Sequence, residues 1–168
     1  MKHFVLATVL LIFGSTGPLW AQDHPKGNTK ENLGQALPPF DFQGVDENRV
    51  TPSSLPTDRP VVVFYFDPFC DHCQKEAGWI NDNAKLFKDI TLLWVAYGEL
   101  KDIAAFPGEY IPDVTGKMIF ANDDKYQFDN YFGYSTVPSI YVYNRKHERT
   151  ASFHEETLPT TLLRFALQ

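Results

Sequence analysis

The chain holds two cysteines in 168 residues, Cys70 and Cys73, and both lie in the stretch "FDPFCDHCQKE" at residues 66 to 76. Thiols at this spacing suit a redox switch, half of a metal site or a local staple. As a staple the pair is weak, because closing so short a loop constrains the unfolded chain by only about 2 kcal/mol. Half a zinc site would need a second Cys-x-x-Cys or a His-x3–5-His pair, and neither is present. Haem attachment would need histidine where Gln74 stands. Dithiol–disulfide exchange is the chemistry that the pair serves best.

That chemistry depends on where the thiols sit. "VVVFYFD", residues 61 to 67, is a continuous β-branched and aromatic run of the kind found in a strand buried on both faces. From residue 71 to 88 the pattern becomes helical, with Cys73, Ala77, Ile80, Ala84 and Phe87 on one face. Cys70 therefore begins a helix, where unpaired N–H groups and a partial positive charge favour a thiolate. A thiol so placed in a Cys-x-x-Cys pair has a pKa of roughly 3.5 to 7, against about 8.5 for free cysteine. Cys70 is the expected nucleophile and Cys73 the buried resolving thiol. Glu76 lies three residues beyond Cys73, within reach along a helix face. Partial burial would raise its pKa toward the range useful to a general base for Cys73. Asp71 and His72 tune the pair in opposite senses. Protonated His72 would stabilise the Cys70 thiolate, and Asp71 would disfavour it and hold part of the His72 charge in an ion pair.

The surrounding sequence reads as one α/β domain. "TLLWVAY" at 91 to 97 is a second buried strand, followed by a short helix over 99 to 106 that Pro107–Gly108 should end. "KMIFA" is a strand, and "DKYQFDNYF" a short helix capped by Asp123 or Asp124. "VPSIYVYN" and "RTASFHE" are strands joined by a turn at Asn144–His147, and "TLPTTLLRFAL" closes the chain as a helix with Thr157 at its N-cap and Pro159 in its first turn. Ahead of this core, "LPPFDFQGVDENRVTPSSLP" predicts a hairpin about Asp46–Asn48. The fold expected is a central mixed sheet with helices on both faces and an N-terminal β-hairpin extension.

The first residues read differently. Lys2 and His3 precede an apolar run, Phe4 to Phe13, and "LWA" follows, which are the parts of a secretory signal. The run falls short of the ~20 apolar residues that a spanning helix needs. We expect a signal peptide at 1–21, a flexible polar leader at 22–35 and the domain at 36–168; an uncleaved anchor is the alternative. Export would place the pair where disulfides persist. The formal net charge is -6 and no basic stripe interrupts the sequence, so nucleic acid is not an expected partner.

A buried strand ending at an aromatic-Cys-x-x-Cys helix start resembles the thioredoxin superfamily. "STVPS" resembles its cis-proline loop, which implies that Pro138 is cis and faces the cysteines. Val137 would then offer its backbone to an extended substrate. "CxxCxxE" with Glu76, a hairpin ahead of the core and a segment inserted within it resemble the exported TlpA/ResA-like thiol–disulfide oxidoreductases. The resemblance implies a monomeric periplasmic reductase whose only redox group is the Cys70–Cys73 disulfide, with no metal. It would act on a disulfide-bearing exported protein and be kept reduced by a membrane electron donor of thiol-transducer type. Phe64 stands where cytosolic thioredoxin has a buried aspartate, and Gly78 where thioredoxins often kink the helix with proline. Peroxiredoxins share the hairpin and fold, but Val63 and Asp67 replace the Pro and Thr of their Pro-x-x-x-Thr-x-x-Cys pattern. Two alternatives remain. One is a thioredoxin-like copper chaperone, for which His72 and His154 leave room. The other is a disulfide-forming oxidase, since Cys-x-His-Cys is DsbA-like.

Overall fold

The structure, a computed structural model, describes residues 33–133 and 136–168. The expected signal peptide and the leader up to residue 32 lie outside them. Among the described residues, seven strands and four α-helices follow in the order β1 (Phe42–Gly44), β2 (Arg49–Val50), β3 (Val61–Tyr65), α1 (Asp71–Asp82), β4 (Thr91–Ala96), α2 (Leu100–Tyr110), β5 (Lys117–Asn122), α3 (Phe128–Phe132), β6 (Ser139–Tyr143), β7 (Arg149–Phe153) and α4 (Pro159–Ala166). They form one mixed sheet in the order β2-β1-β5-β4-β3-β6-β7. β3, β4 and β5 are parallel, and β6 runs antiparallel to β3 with Tyr65 opposite Ser139. The hairpin forms as expected and extends the sheet by pairing β1 with β5.

The apolar runs are continuous because each strand serves two cores. Side chains alternate across a strand. Val62, Phe64, Leu92, Trp94, Ile140 and Val142 face α1, α2 and α4. Val61, Val63, Leu93, Val95, Tyr141 and Tyr143 face α3 and the N-terminal segment that carries Phe40 and Phe42. The sheet is covered on both sides.

Three local readings need correction. The helix expected over 71 to 88 stops at Asp82, and Ala84–Phe87 is a separate 3-10 turn. Asn83 causes the break: it leaves helical geometry and its side-chain amide donates to the Trp79 carbonyl, in competition with the backbone. Ala84 and Phe87 still reach the core. α2 runs through Pro107 to Tyr110 instead of ending before it. Proline inside a helix costs about 3 kcal/mol, and the burial of Phe106, whose ring lies 4.8 Å from Tyr110 and 4.7 Å from Phe66, works against that cost. Leu158, not Thr157, is the N-cap of α4, with Pro159 in its first turn. For α3, Asp123 accepts the N–H groups of Gln127 and Phe128, both at 2.9 Å, whereas Asp124 pairs with Arg49.

Candidate active site

β3 ends at Tyr65, and residues 66 to 70 turn the chain into α1. Asp67 builds that turn. Its carboxylate accepts the Phe69 N–H at 2.8 Å and its carbonyl accepts the Cys70 N–H at 3.1 Å. Cys70 is the N-cap of α1 in extended geometry, and its carbonyl accepts the Gln74 N–H at 3.0 Å. Aromatic packing fixes the floor beneath. Phe64 stacks on Trp94 at 4.0 Å, and Phe66 meets the edge of Trp94 at 5.4 Å. Phe64, at the position where a cytosolic thioredoxin has its buried aspartate, is thus a core residue.

Both cysteines are thiols. Cys70 is half-buried and Cys73 is fully buried. Burial pushes the Cys73 thiol far above the ordinary cysteine range, and the hydrogen-bonded Cys70 side chain adds to this, with a backbone bond at Asp67 opposing. Cys73 therefore holds its proton at neutral pH, whereas thiol–disulfide exchange requires a thiolate. To react as a thiolate, Cys73 would need a base close by.

Glu76 stands one helical turn on and is 0% exposed. Burial pushes its carboxyl up to about 8, the Glu156 charge adds to this, and the Thr157 N–H, donating to Oε2 at 2.7 Å, opposes it. Oε1 has no hydrogen-bond partner among the described residues. Glu76 is thus more deeply buried than its sequence position alone suggests, and it is held by a loop 81 residues away.

That loop also corrects the expected pairing of His72. Its Nδ1 meets Glu156 Oε1 at 2.8 Å, and Lys75 Nζ reaches the same oxygen at 3.3 Å. Asp71 is not the partner, because neighbours in a helix point in different directions. The His72 hydrogen bond holds the Glu156 carboxyl below its ordinary range. Glu156 and Thr157 are the site residues that sequence reasoning missed. No local signal marks them, since they approach α1 only when α4 docks. Asp67 carried a legible signal, an Asp-Pro turn ahead of a helix.

The Val137–Pro138 peptide is cis. It precedes Ser139, opposite Tyr65, and so lies at the end of the sheet where β3 leads into the cysteines. Pro138 is buried and Val137 is 37% exposed. Nearby, Ser139 Oγ is 2.9 Å from His154 Nδ1. Both site histidines are thus engaged elsewhere, and among the described residues no three His, Cys, Asp or Glu side chains converge as a metal-binding group.

No family model and no curated protein matches the sequence. Solved structures match the fold. DsbF of Mycobacterium tuberculosis, in mixed oxidized and reduced forms, is 20% identical with a TM-score of 0.64, over 79% of this chain and 96% of that one. Peroxidoxin BcpB of Mycobacterium tuberculosis is 16% identical with a TM-score of 0.65, over 80% and 96%. A thiol:disulfide interchange protein of the thioredoxin family from Chlorobium tepidum is 16% identical with a TM-score of 0.63, over 80% and 97%. The fold of the chain is thioredoxin-like.

Proposed function

We propose that the protein is an exported thiol–disulfide oxidoreductase that reduces disulfides in other exported proteins. The observation that carries this reading is the division of the pair. One thiol is accessible at a helix start, and the other is buried behind it beside a carboxyl of raised pKa. The Cys70 thiolate attacks one sulfur of the substrate disulfide, forming a Cys70–substrate bond and releasing the first substrate thiolate. Glu76 takes the proton of Cys73, whose thiolate then attacks Cys70. The Cys70–Cys73 disulfide forms and the second substrate thiolate leaves. Two electrons pass from the protein dithiol to the substrate; the Cys73 proton stays on Glu76, and the two released thiolates take up protons from water. Val137, ahead of Pro138, would pair with an extended substrate segment.

The reaction calls for no cofactor beyond the cysteine pair. A membrane thiol donor would return it to the reduced state. Periplasmic placement rests on the signal peptide expected at residues 1–21; among the described residues no helix is long and apolar enough to cross a membrane. The fold is shared with a peroxidoxin, but Asp67 at the expected threonine position supports disulfide chemistry over peroxide chemistry. The pairing of His72 with Glu156 supports the reducing direction, because Glu156 offsets a charge that would otherwise favour the Cys70 thiolate. We expect a potential of roughly -270 to -180 mV, between thioredoxin and protein disulfide isomerase. A glutathione-equilibrium titration with thiol trapping in cells tests it. A value near about -120 mV, with the pair oxidised in cells, would make the protein a disulfide-forming oxidase; failure of the reduced protein to reduce any disulfide would refute the reading.

A further inference from the structure

A cavity of about 220 Å³ lies between Pro68 and Phe69 of the turn that leads to Cys70, Gln74 of α1 and one side of α2. Its walls come from both flanks of the nucleophile. Phe69, immediately before Cys70, is 73% exposed, and Gln74, one turn after it, is fixed by a bond from its Nε2 to the Pro68 carbonyl at 2.9 Å. α2 contributes Asp102, Phe106 and Glu109 at helical spacing, with Tyr110 at the end. The cavity is therefore aromatic on its sides and anionic at its rim. No lining residue is a cation, and neither Asp102 nor Glu109 forms a salt bridge among the described residues. Burial first, then the neighbouring Glu109 and the Asp71 charge, push the Tyr110 phenol above its ordinary range. Negative charge is thus gathered around an aromatic slot whose wall includes Phe69, the residue before Cys70.

Aromatic walls with carboxylates at the mouth match one class of side chain. Lysine and arginine lay an apolar stem along aromatic surface and carry the charge at the tip. We propose that this cavity is a substrate subsite for a lysine or arginine close in sequence to the cysteine that Cys70 attacks. The subsite rests on the disulfide-reductase reading above. It would make the enzyme selective for disulfides in basic surroundings and slow on those flanked by acids, since charge complementarity acts mainly on encounter and register.

The test uses three symmetrical peptide disulfides, the oxidised dimers of Ac-Xaa-Gly-Cys-Gly-Xaa-NH2 with Xaa lysine, alanine or glutamate. They are reduced by the full chain in its dithiol form at low salt. Two partly exposed carboxylates acting on one cation favour the lysine peptide over the glutamate peptide by about tenfold in kcat/KM. In the D102N/E109Q double variant that ratio falls to about twofold or less. A D58N/D89N control makes the same change in net charge with two exposed aspartates at the opposite end of the sheet, and it keeps the ratio. Equal rates for the three peptides, a ratio that survives D102N/E109Q, or one that collapses equally in D58N/D89N would each overturn the subsite and leave the reductase reading intact. No reduction of any peptide would overturn that reading, and the subsite with it.

Discussion

Replacing Glu76 with glutamine gives the sharpest test of the buried carboxyl. Glutamine keeps the shape and the acceptor for the Thr157 N–H but cannot ionise. In the folded protein the wild-type carboxyl titrates near 8, against 4.5 as its ordinary value, because burial penalises its charge. Between those values the folded state binds more protons than the unfolded state. Stability therefore falls as pH rises from about 4.5 to about 8 and is level above. At about 1.4 kcal/mol for each pKa unit, the loss is about 5 kcal/mol. Asp41, Asp46 and Glu156 have lowered pKa values and contribute in the opposite sense on acidification, but they are common to both proteins and cancel in the difference. Urea unfolding of the reduced proteins, followed by tryptophan fluorescence from pH 4.5 to 9, should show profiles that cross. E76Q should be less stable at pH 5 by about 1 kcal/mol, because its buried amide has more donors to satisfy. At pH 8.5 it should be more stable by several kcal/mol. Profiles that run parallel would refute the buried, high-pKa carboxyl. The same variant should release a mixed disulfide from Cys70 about a hundredfold more slowly at neutral pH, and unchanged release kinetics would refute the proton transfer to Glu76.

Further outcomes follow from neighbouring residues. Limiting iodoacetamide at neutral pH should label Cys70, which is half-buried, ahead of the fully buried Cys73; an adduct mapped mainly to Cys73 would reverse the assigned roles. Glu156→Gln removes a negative charge that raises the Glu76 pKa and frees Lys75 to lower it, so the falling limb of the stability–pH profile should move to lower pH; an unmoved limb would show that the loop charge does not reach Glu76. Gly78 sits inside α1 with no atom within 4 Å of where a Cβ would stand, so Gly78→Ala should stabilise the fold by about 0.5–1 kcal/mol in chemical denaturation, and a loss of stability would mean that the helix is not continuous there.

Much of the site was legible because it is local. A buried strand, a turn and a helix start follow one another within residues 61 to 80, and the period of the apolar residues changes from continuous to helical across Cys70. This sequence alone assigns the exposed thiol, the buried thiol and a carboxylate one turn away. It also encodes the hairpin, since Gly44 and the residues 46 to 48 carry turn chemistry within a few positions of each other. The helix limits were less legible. Whether Pro107 ends a helix, or Asn83 breaks one, depends on what Phe106 and Phe87 pack against, and burial outweighs local preference there.

What only the tertiary structure decided is the electrostatic state of the site. Glu76 reads in sequence as a helix glutamate with one face toward solvent. Its complete burial goes beyond the partial burial that the sequence implies, and the segment ahead of α4 offers its carboxyl a single N–H, from Thr157. Glu156, which engages His72 and Lys75, arrives on the same segment. The acidic, aromatic cavity likewise exists only where α2 lies against the turn that presents Cys70. Periodicity determines which side of an element is apolar, because that is a property of consecutive residues. Charge pairing and desolvation depend on which distant segment covers a group, and the sequence leaves that to the packing.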